Sequence, residues 1–153
     1  MRGLGQVVSV IVHRSVRAIL LDEDDRLLLI KRVKPGQAPY WTTPGGGVGP
    51  EDVSLEAALR RELHEELGAD VDRFLQVFLF TATAGVGVSV QYFFACRLLQ
   101  LRENTRAGQE FFDPARGEYQ LDMVAIDKLP AVNLKPDALR EFIVSNEEAL
   151  LSV

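Results

Sequence analysis

The stretch Pro44-Gly45-Gly46-Gly47-Val48-Gly49-Pro50 stands just ahead of Ser54-Leu55-Glu56-Ala57-Ala58-Leu59-Arg60-Arg61-Glu62-Leu63-His64-Glu65-Glu66-Leu67-Gly68, the strongest helical signal in the chain. Glycine runs permit backbone conformations closed to other residues and let main-chain groups approach a ligand. Ser54 is a good N-cap and Gly68 a good C′ residue, so the spacing predicts a helix over 54–67. Leu55, Leu59, Leu63 and Leu67 recur every four residues and predict its buried stripe.

The acids beside that stripe need a reason. At about 100° per residue, Glu62, Glu65 and Glu66 share an arc of roughly 100°. Like charges at these spacings cost roughly 0.2–0.5 kcal/mol per pair. Carboxylates in a last helical turn are disfavoured by roughly a further 0.3–1 kcal/mol. Arg61 offsets part of this through Glu65 at i+4, but one arginine does not neutralise three acids. Two readings fit: a solvated acidic face, or a site for a divalent cation. An all-oxygen donor set suits Mg²⁺ or Mn²⁺.

Outward from the helix, Val16–Leu21 and Leu27–Ile30 read as strands joined at the turn Asp22–Asp25, a hairpin. The acids of that turn fit ordinary turn chemistry. Lys34–Pro39 reads as a loop. Val71–Thr83 and Val88–Leu99 predict a longer hairpin turning near Gly85 and Gly87. Tyr119–Ile126 reads as a further strand, and Pro136 as the start of a terminal helix running to about Leu151. The polar stretch Arg102–Glu118 has no usable period, and compact domains rarely keep such loops without a use. Strands, a central helix, more strands and a terminal helix argue an α/β (α+β) layering.

Length and composition bound the answer further. The chain has 153 residues, 47% hydrophobic and 25% charged, which fits one globular domain over residues 1–153 and excludes disordered or collagenous classes. Lys and Arg number 17 against 22 Asp and Glu, a net charge of −5, which disfavours a nucleic-acid-binding surface. Phosphates would have to be met by a few arginines or a bound cation. The longest apolar-rich run, Val7–Leu21, is broken by His13, Arg14 and Arg17, so no membrane span is expected. A lone cysteine, Cys96, cannot form an intramolecular disulfide, and Met1–Gly5 lacks the features of a secretory signal; a cytoplasmic location is the expectation.

With these residues in view, Gly46–Ala69 resembles the Nudix box, G-x5-E-x7-R-E-U-x-E-E-x-G-U with U a bulky apolar residue. Arg61-Glu62-Leu63-His64-Glu65-Glu66-Leu67-Gly68 matches throughout, and Ala69 is a small substitute at the last position. The upstream half departs. With five residues intervening after Gly46 comes Asp52 rather than Glu, and eight residues instead of seven then precede Arg61, so a one-residue insertion with Asp52, or Glu51, standing in is the favoured alignment. The resemblance covers 24 of 153 residues. It implies an α/β/α sandwich around a central mixed β-sheet and hydrolysis of a diphosphate bond in a nucleoside diphosphate linked to another group X. It also implies Mg²⁺, with Mn²⁺ as a substitute, held by Glu62, Glu65 and Glu66 with the carbonyl of Gly45 or Gly46, and Arg61 orienting the glutamates. Many relatives dimerise, which makes a homodimer an expectation of the resemblance alone. Subgroup markers, a proline or tyrosine about 15–17 residues beyond the box, are absent from Ala84-Gly85-Val86-Gly87. Nucleoside triphosphates and nucleotide sugars such as ADP-ribose therefore both stay open as small-molecule substrates.

The chemistry agrees with the resemblance. Diphosphate hydrolysis needs oxygen charge neutralised and water made nucleophilic, and bound divalent ions do both. A carboxylate must also take a proton. Glu66 and Glu110 are the candidate bases, with Glu110 set in the long polar stretch, where a solvated loop glutamate fits as well. Arg32 is a candidate for a phosphate, as are Arg106 and Arg116, against an ordinary surface role. Trp41 and Phe112, with Tyr40 and Phe111, are candidates to stack on a base, against ordinary packing. His13 and His64 have no companion at ligand spacing. The departure near position 52 motivates a second reading, a nucleotide-binding or sensing module with weak or no turnover; the intact Arg61–Gly68 end argues against it.

Overall fold

A computed structural model describes residues 10–102, 111–113 and 117–153. The chain runs β1 (Ile11–Leu21), β2 (Arg26–Val33), β3 (Tyr40–Thr42), β4 (Gly45–Gly47), α1 (Leu55–Leu67), β5 (Ala69–Ala84), β6 (Gly87–Leu101), β7 (Phe111–Asp113), β8 (Gly117–Ala125), a 3-10 helix (Ile126–Ala131), α2 (Asp137–Ser145) and α3 (Glu147–Leu151). Among the described residues eight strands form one mixed sheet whose main path is β5-β6-β1-β2-β8-β7. β1 and β6 are parallel; their flanking pairings are antiparallel.

Alternation along the central strands sends apolar side chains to both faces, which is what a sheet covered on two sides requires. Val16, Ala18 and Leu20 of β1, with Phe94 and Cys96 of β6, pack under Ala58, Leu59, Leu63 and Leu67 of α1. Ile19, Leu21, Phe93 and Ala95 face the opposite layer, built from Leu129, Leu134, Leu139, Ile143 and Leu150. This is the expected α/β/α sandwich. Each large side chain fully buried contributes about 1.5–3 kcal/mol.

Two details position the site. First, β1 changes neighbour along its length: it pairs with β4 at Ser15↔Gly47, Val16↔Gly46 and Arg17↔Gly45, and with β2 only at Leu21↔Leu27. β3 in turn pairs with β2 at Ile30↔Thr42, Lys31↔Trp41 and Arg32↔Tyr40. The segment 40–47 is thus a wedge between β1 and β2, and it carries Gly45 and Gly46 to the sheet beside α1. Gly45 has φ +152, and a Cβ there would strike the Val16 carbonyl oxygen, so only glycine fits this crossing. Second, α1 begins where predicted: Ser54 Oγ accepts from Ala57 N at 3.0 Å. It ends at Gly68, φ 64, whose N–H reaches the carbonyls of His64 and Leu63.

The single terminal helix expected from Pro136 to Leu151 is two helices. Asn146 leaves helical geometry (φ −122, ψ 26), and its Nδ2 donates to Phe142 O at 2.8 Å. A side chain that competes for helical carbonyls is a recurrent place to break a helix. The stretch expected as a loop over 102–118 includes β7 and the first residues of β8. Arg97 on β6 ties the C-terminus to the first hairpin, donating to Val153 O (2.9 Å), Leu151 O (2.7 Å), Asp22 O (3.1 Å) and Asp25 Oδ1 (2.7 Å).

Candidate active site

The carboxylates of α1 meet the wedge segment. Glu62 occupies the space that a Cβ on Gly46 would need, and Glu66 Oε1 accepts from Gly45 N at 3.4 Å. These two acids therefore lie against consecutive peptide groups of β4, one helical turn apart. Glu65 stands outside: its side chain is 58% exposed, and Oε2 accepts from Arg61 Nη1 at 3.3 Å. Among the described residues no three His, Cys, Asp or Glu side chains converge as a ready-made metal cage.

Arg61 is the hub of the helix face. Its Nε and Nη2 grip Asp52 Oδ1 (2.9 Å) and Oδ2 (2.8 Å), Nη1 donates to Glu62 Oε1 (2.9 Å), and Nη2 also donates to Gly47 O (3.2 Å). Asp52 Oδ2 further accepts from Gly49 N at 2.7 Å. Of the two acids considered for the upstream position, Asp52 takes the arginine, while Glu51 is exposed. Asp52 N donates to Gly49 O and closes the turn at 49–52 that presents this acid to Arg61. A forked guanidinium–carboxylate pair fixes both partners in orientation as well as charge.

Electrostatics separates the acids. The hydrogen bonds from Arg61, then from Gly49 N, lower the Asp52 carboxyl to about 2. Asp52 and Glu62 in turn raise Arg61 further above its ordinary value. Burial raises Glu66, opposed by the Gly45 N–H and the charge of Arg17, and reinforced by Glu62. Arg17 is lowered chiefly by burial, against the attraction of Glu66 and Glu62. Burial pushes Cys96 up to about 12, which fits a core thiol rather than a nucleophile.

The remaining sequence candidates are placed unevenly. Arg32 lies at the β2 side of the wedge with its guanidinium 4.9 Å from the Tyr119 ring centre. Trp41 sits in β3, half-buried against the core layer of α2, with Nε1 donating to Asp122 Oδ2 at 2.8 Å. Phe112 belongs to β7, described in its backbone alone. Glu110, Arg106 and Arg116 lie outside the described residues. His64 faces Asp70, Nδ1 to Oδ1 3.9 Å, on the outer side of α1. An open depression of about 470 Å³ on that outer side takes in Arg60, Arg61 and His64 but neither Glu62 nor Glu66, so it does not coincide with the acid pair. Sequence reading missed Arg17. Its signal was an arginine inside the apolar run Val16-Arg17-Ala18-Ile19-Leu20, where a charge needs a partner.

Do these residues fit a hard cation? Mg²⁺ is commonly held by one or two carboxylates, with waters and substrate phosphates completing its octahedron. Glu62 and Glu66 beside the Gly45–Gly46 backbone supply such a donor set.

The comparisons extend the picture. No curated protein sequence matches the chain significantly. Solved structures match closely in fold: a NUDIX hydrolase from Nitrosomonas europaea (TM-score 0.66, 19% identity, 90% of this chain and 88% of that one) and the E. coli ORF135 protein (TM-score 0.67, 23% identity, 95% and 97%). A MutT NUDIX hydrolase from Burkholderia pseudomallei is 25% identical over 75% of this chain and 84% of its own, with a TM-score of 0.54. The model of the NUDIX domain matches residues 12–142, from the first strand through the wedge, the acid-bearing helix and both hairpins to α2. The chain belongs to the NUDIX family.

Proposed function

We propose that this protein is a Mg²⁺-dependent pyrophosphohydrolase, with Mn²⁺ as a working substitute, acting on a nucleoside diphosphate linked to X: a nucleoside triphosphate or a nucleotide sugar such as ADP-ribose. The observation that carries the reading is the pair Glu62 and Glu66 set against the Gly45–Gly46 backbone. When bound, a divalent ion supplies Lewis-acid polarisation of a phosphoryl oxygen and a coordinated water of lowered pKa. The chain's own groups do the rest. Asp52 holds Arg61, and Arg61 holds Glu62 and Glu65, so the helix face keeps one geometry. The Gly45 N–H holds Glu66, and the carbonyl of Gly45 or Gly46 adds a neutral oxygen donor. Proton removal from the attacking water falls to Glu66 or Glu110. Arg32 meets a phosphate, and Trp41 and Phe112 are the candidates for the nucleoside.

A binding-only module drew its support from the missing upstream glutamate. Asp52 occupies that place and takes the arginine with both oxygens, which weakens that support. A substrate panel with product analysis, run with Mg²⁺, with Mn²⁺ and with chelator, tests the proposal. Cation-dependent release of a nucleoside monophosphate with pyrophosphate or a phosphomonoester is expected, with Glu66→Gln and Glu62→Gln slower by two orders of magnitude or more. Turnover that survives chelation, or tight nucleotide binding without turnover on any substrate, contradicts it.

A further inference from the structure

Two arginines flank the wedge from opposite sides: Arg17 on β1, paired with Gly45, and Arg32 on β2, paired with Tyr40. Both have an Nε covered from solvent with no acceptor among the described residues. The one hydrogen bond given for Arg17 is a long one, Nη1 to Thr43 O at 3.5 Å. Arg32 rests on the face of Tyr119, a contact that holds a guanidinium without supplying an acceptor. Covered guanidinium N–H groups that lack acceptors are costly, and proteins rarely keep them without a use. Arg17 and Arg32 also repel each other, and the charges that offset Arg17 are Glu66 and Glu62. Those are the acids a divalent cation would engage. A cation on Glu62 and Glu66 would take away the counter-charge of Arg17 and leave two mutually repelling guanidiniums in need of an anion. The planar fork of a guanidinium matches phosphate oxygens two at a time.

We propose that Arg17, with Arg32, forms a two-arginine phosphate clamp that grips the substrate's phosphate chain beside the metal-binding carboxylates. The inference rests on the reading of Glu62 and Glu66 as the metal site and adds Arg17 as a substrate-binding residue. It also carries a distinctive signature. Removing the Arg17 charge weakens anion binding and, because that charge repels cations from Glu66, strengthens cation binding. A merely structural arginine would weaken both when removed.

The test is calorimetry of the full chain with two probes: Mn²⁺ alone, then the non-hydrolysable anion imidodiphosphate on Mn²⁺-loaded protein. Arg17→Met and Arg32→Met should each weaken imidodiphosphate binding about tenfold or more. Mn²⁺ affinity should be tighter for Arg17→Met and, by a smaller factor, for Arg32→Met, whose charge also acts on Glu66. Arg17→Lys, which keeps the charge but loses the fork, should fall between parent and Arg17→Met for the anion. It also serves as the readout if Arg17→Met proves unstable in a thermal melt. Variants that bind imidodiphosphate as the parent does, or that lose anion and Mn²⁺ affinity together, overturn the clamp while leaving the metal site standing. A parent that takes up neither Mn²⁺ nor imidodiphosphate overturns both the clamp and the proposed function.

Discussion

Replacing Gly46 by alanine puts a methyl group where the Glu62 carboxylate lies. An ideal Cβ there would overlap Oε2 and Cδ of Glu62 and come within 2.8 Å of Oε1. Recovering ordinary contact requires the carboxylate to retreat by about 1 Å or more. The obstacle is the far end of a flexible side chain, so the chain can yield without unfolding, and the Gly46↔Val16 pairing of β4 with β1 survives. A misplacement of about 1 Å in a catalytic group costs on the order of 10²-fold in rate, roughly 2.7 kcal/mol of transition-state stabilisation. Gly46→Ala should therefore lower kcat/KM about a hundredfold and weaken Mn²⁺ uptake, with the thermal midpoint close to the parent's. Gly45→Ala is the contrasting control. Its Cβ meets the Val16 backbone, with Val16 C and Arg17 Cα both at 2.9 Å, and its φ of +152 excludes an L side chain, so stability itself should fall. Parallel melts, calorimetry and kinetics on the two variants decide the matter. Gly46→Ala with parental metal uptake and turnover would refute the placement of Glu62 at the reacting centre.

Three further outcomes follow from the geometry. Because burial raises Glu66, its protonated form is favoured by folding; that contribution is present at low pH and lost as pH rises through the folded-state value. Metal-free Glu66→Gln should melt above the parent at pH 8, and the gap should close toward pH 4; a constant gap would show that Glu66 is not buried as described. Arg97→Ala removes charged donors to three backbone carbonyls and should cost about 1.5–3 kcal/mol, or about 4–10 °C in Tm, seen by calorimetric melting. Trp41→Phe keeps an aromatic ring but strips Asp122 of its indole donor, and denaturant unfolding should show a loss of about 1–2 kcal/mol.

Much of this was legible in the residues because the local signals agreed with one another. Ser54, the four-residue leucine stripe and Gly68 specify α1 without reference to the rest of the chain, and its caps form as read. The crowding of acids at 62–66 against the helix dipole singled out that face as a candidate site. Other features depend on pairing between distant segments, which no local pattern encodes. Nothing in Tyr40–Gly47 announces a wedge between β1 and β2; short glycine and aromatic stretches read as loop. The grip of Arg61 on Asp52 is of this kind: it follows from the turn at 49–52 delivering Asp52 to its Nε and Nη2. Trp41 carried a stacking expectation from its loop neighbours, and its indole N–H turns out to be taken by Asp122, 81 residues away. Arg17 was hidden by its apolar neighbours, although a charge in a buried strand is itself a signal. The terminal helix split at Asn146 because that side chain takes the Phe142 carbonyl, a competition that amphipathic periodicity does not register.

The central claim is that Glu62 and Glu66 together hold a divalent cation against the Gly45–Gly46 backbone. Electron paramagnetic resonance of Mn²⁺ titrated into the parent, Glu62→Gln, Glu66→Gln and Glu148→Gln proteins tests it most directly, since it counts bound ions without relying on any substrate. Saturable Mn²⁺ binding in the parent, retained by the variant at exposed Glu148 and lost or severely weakened by each of the other two, is the predicted result. Mn²⁺ binding that is unaffected by both site substitutions would contradict the account.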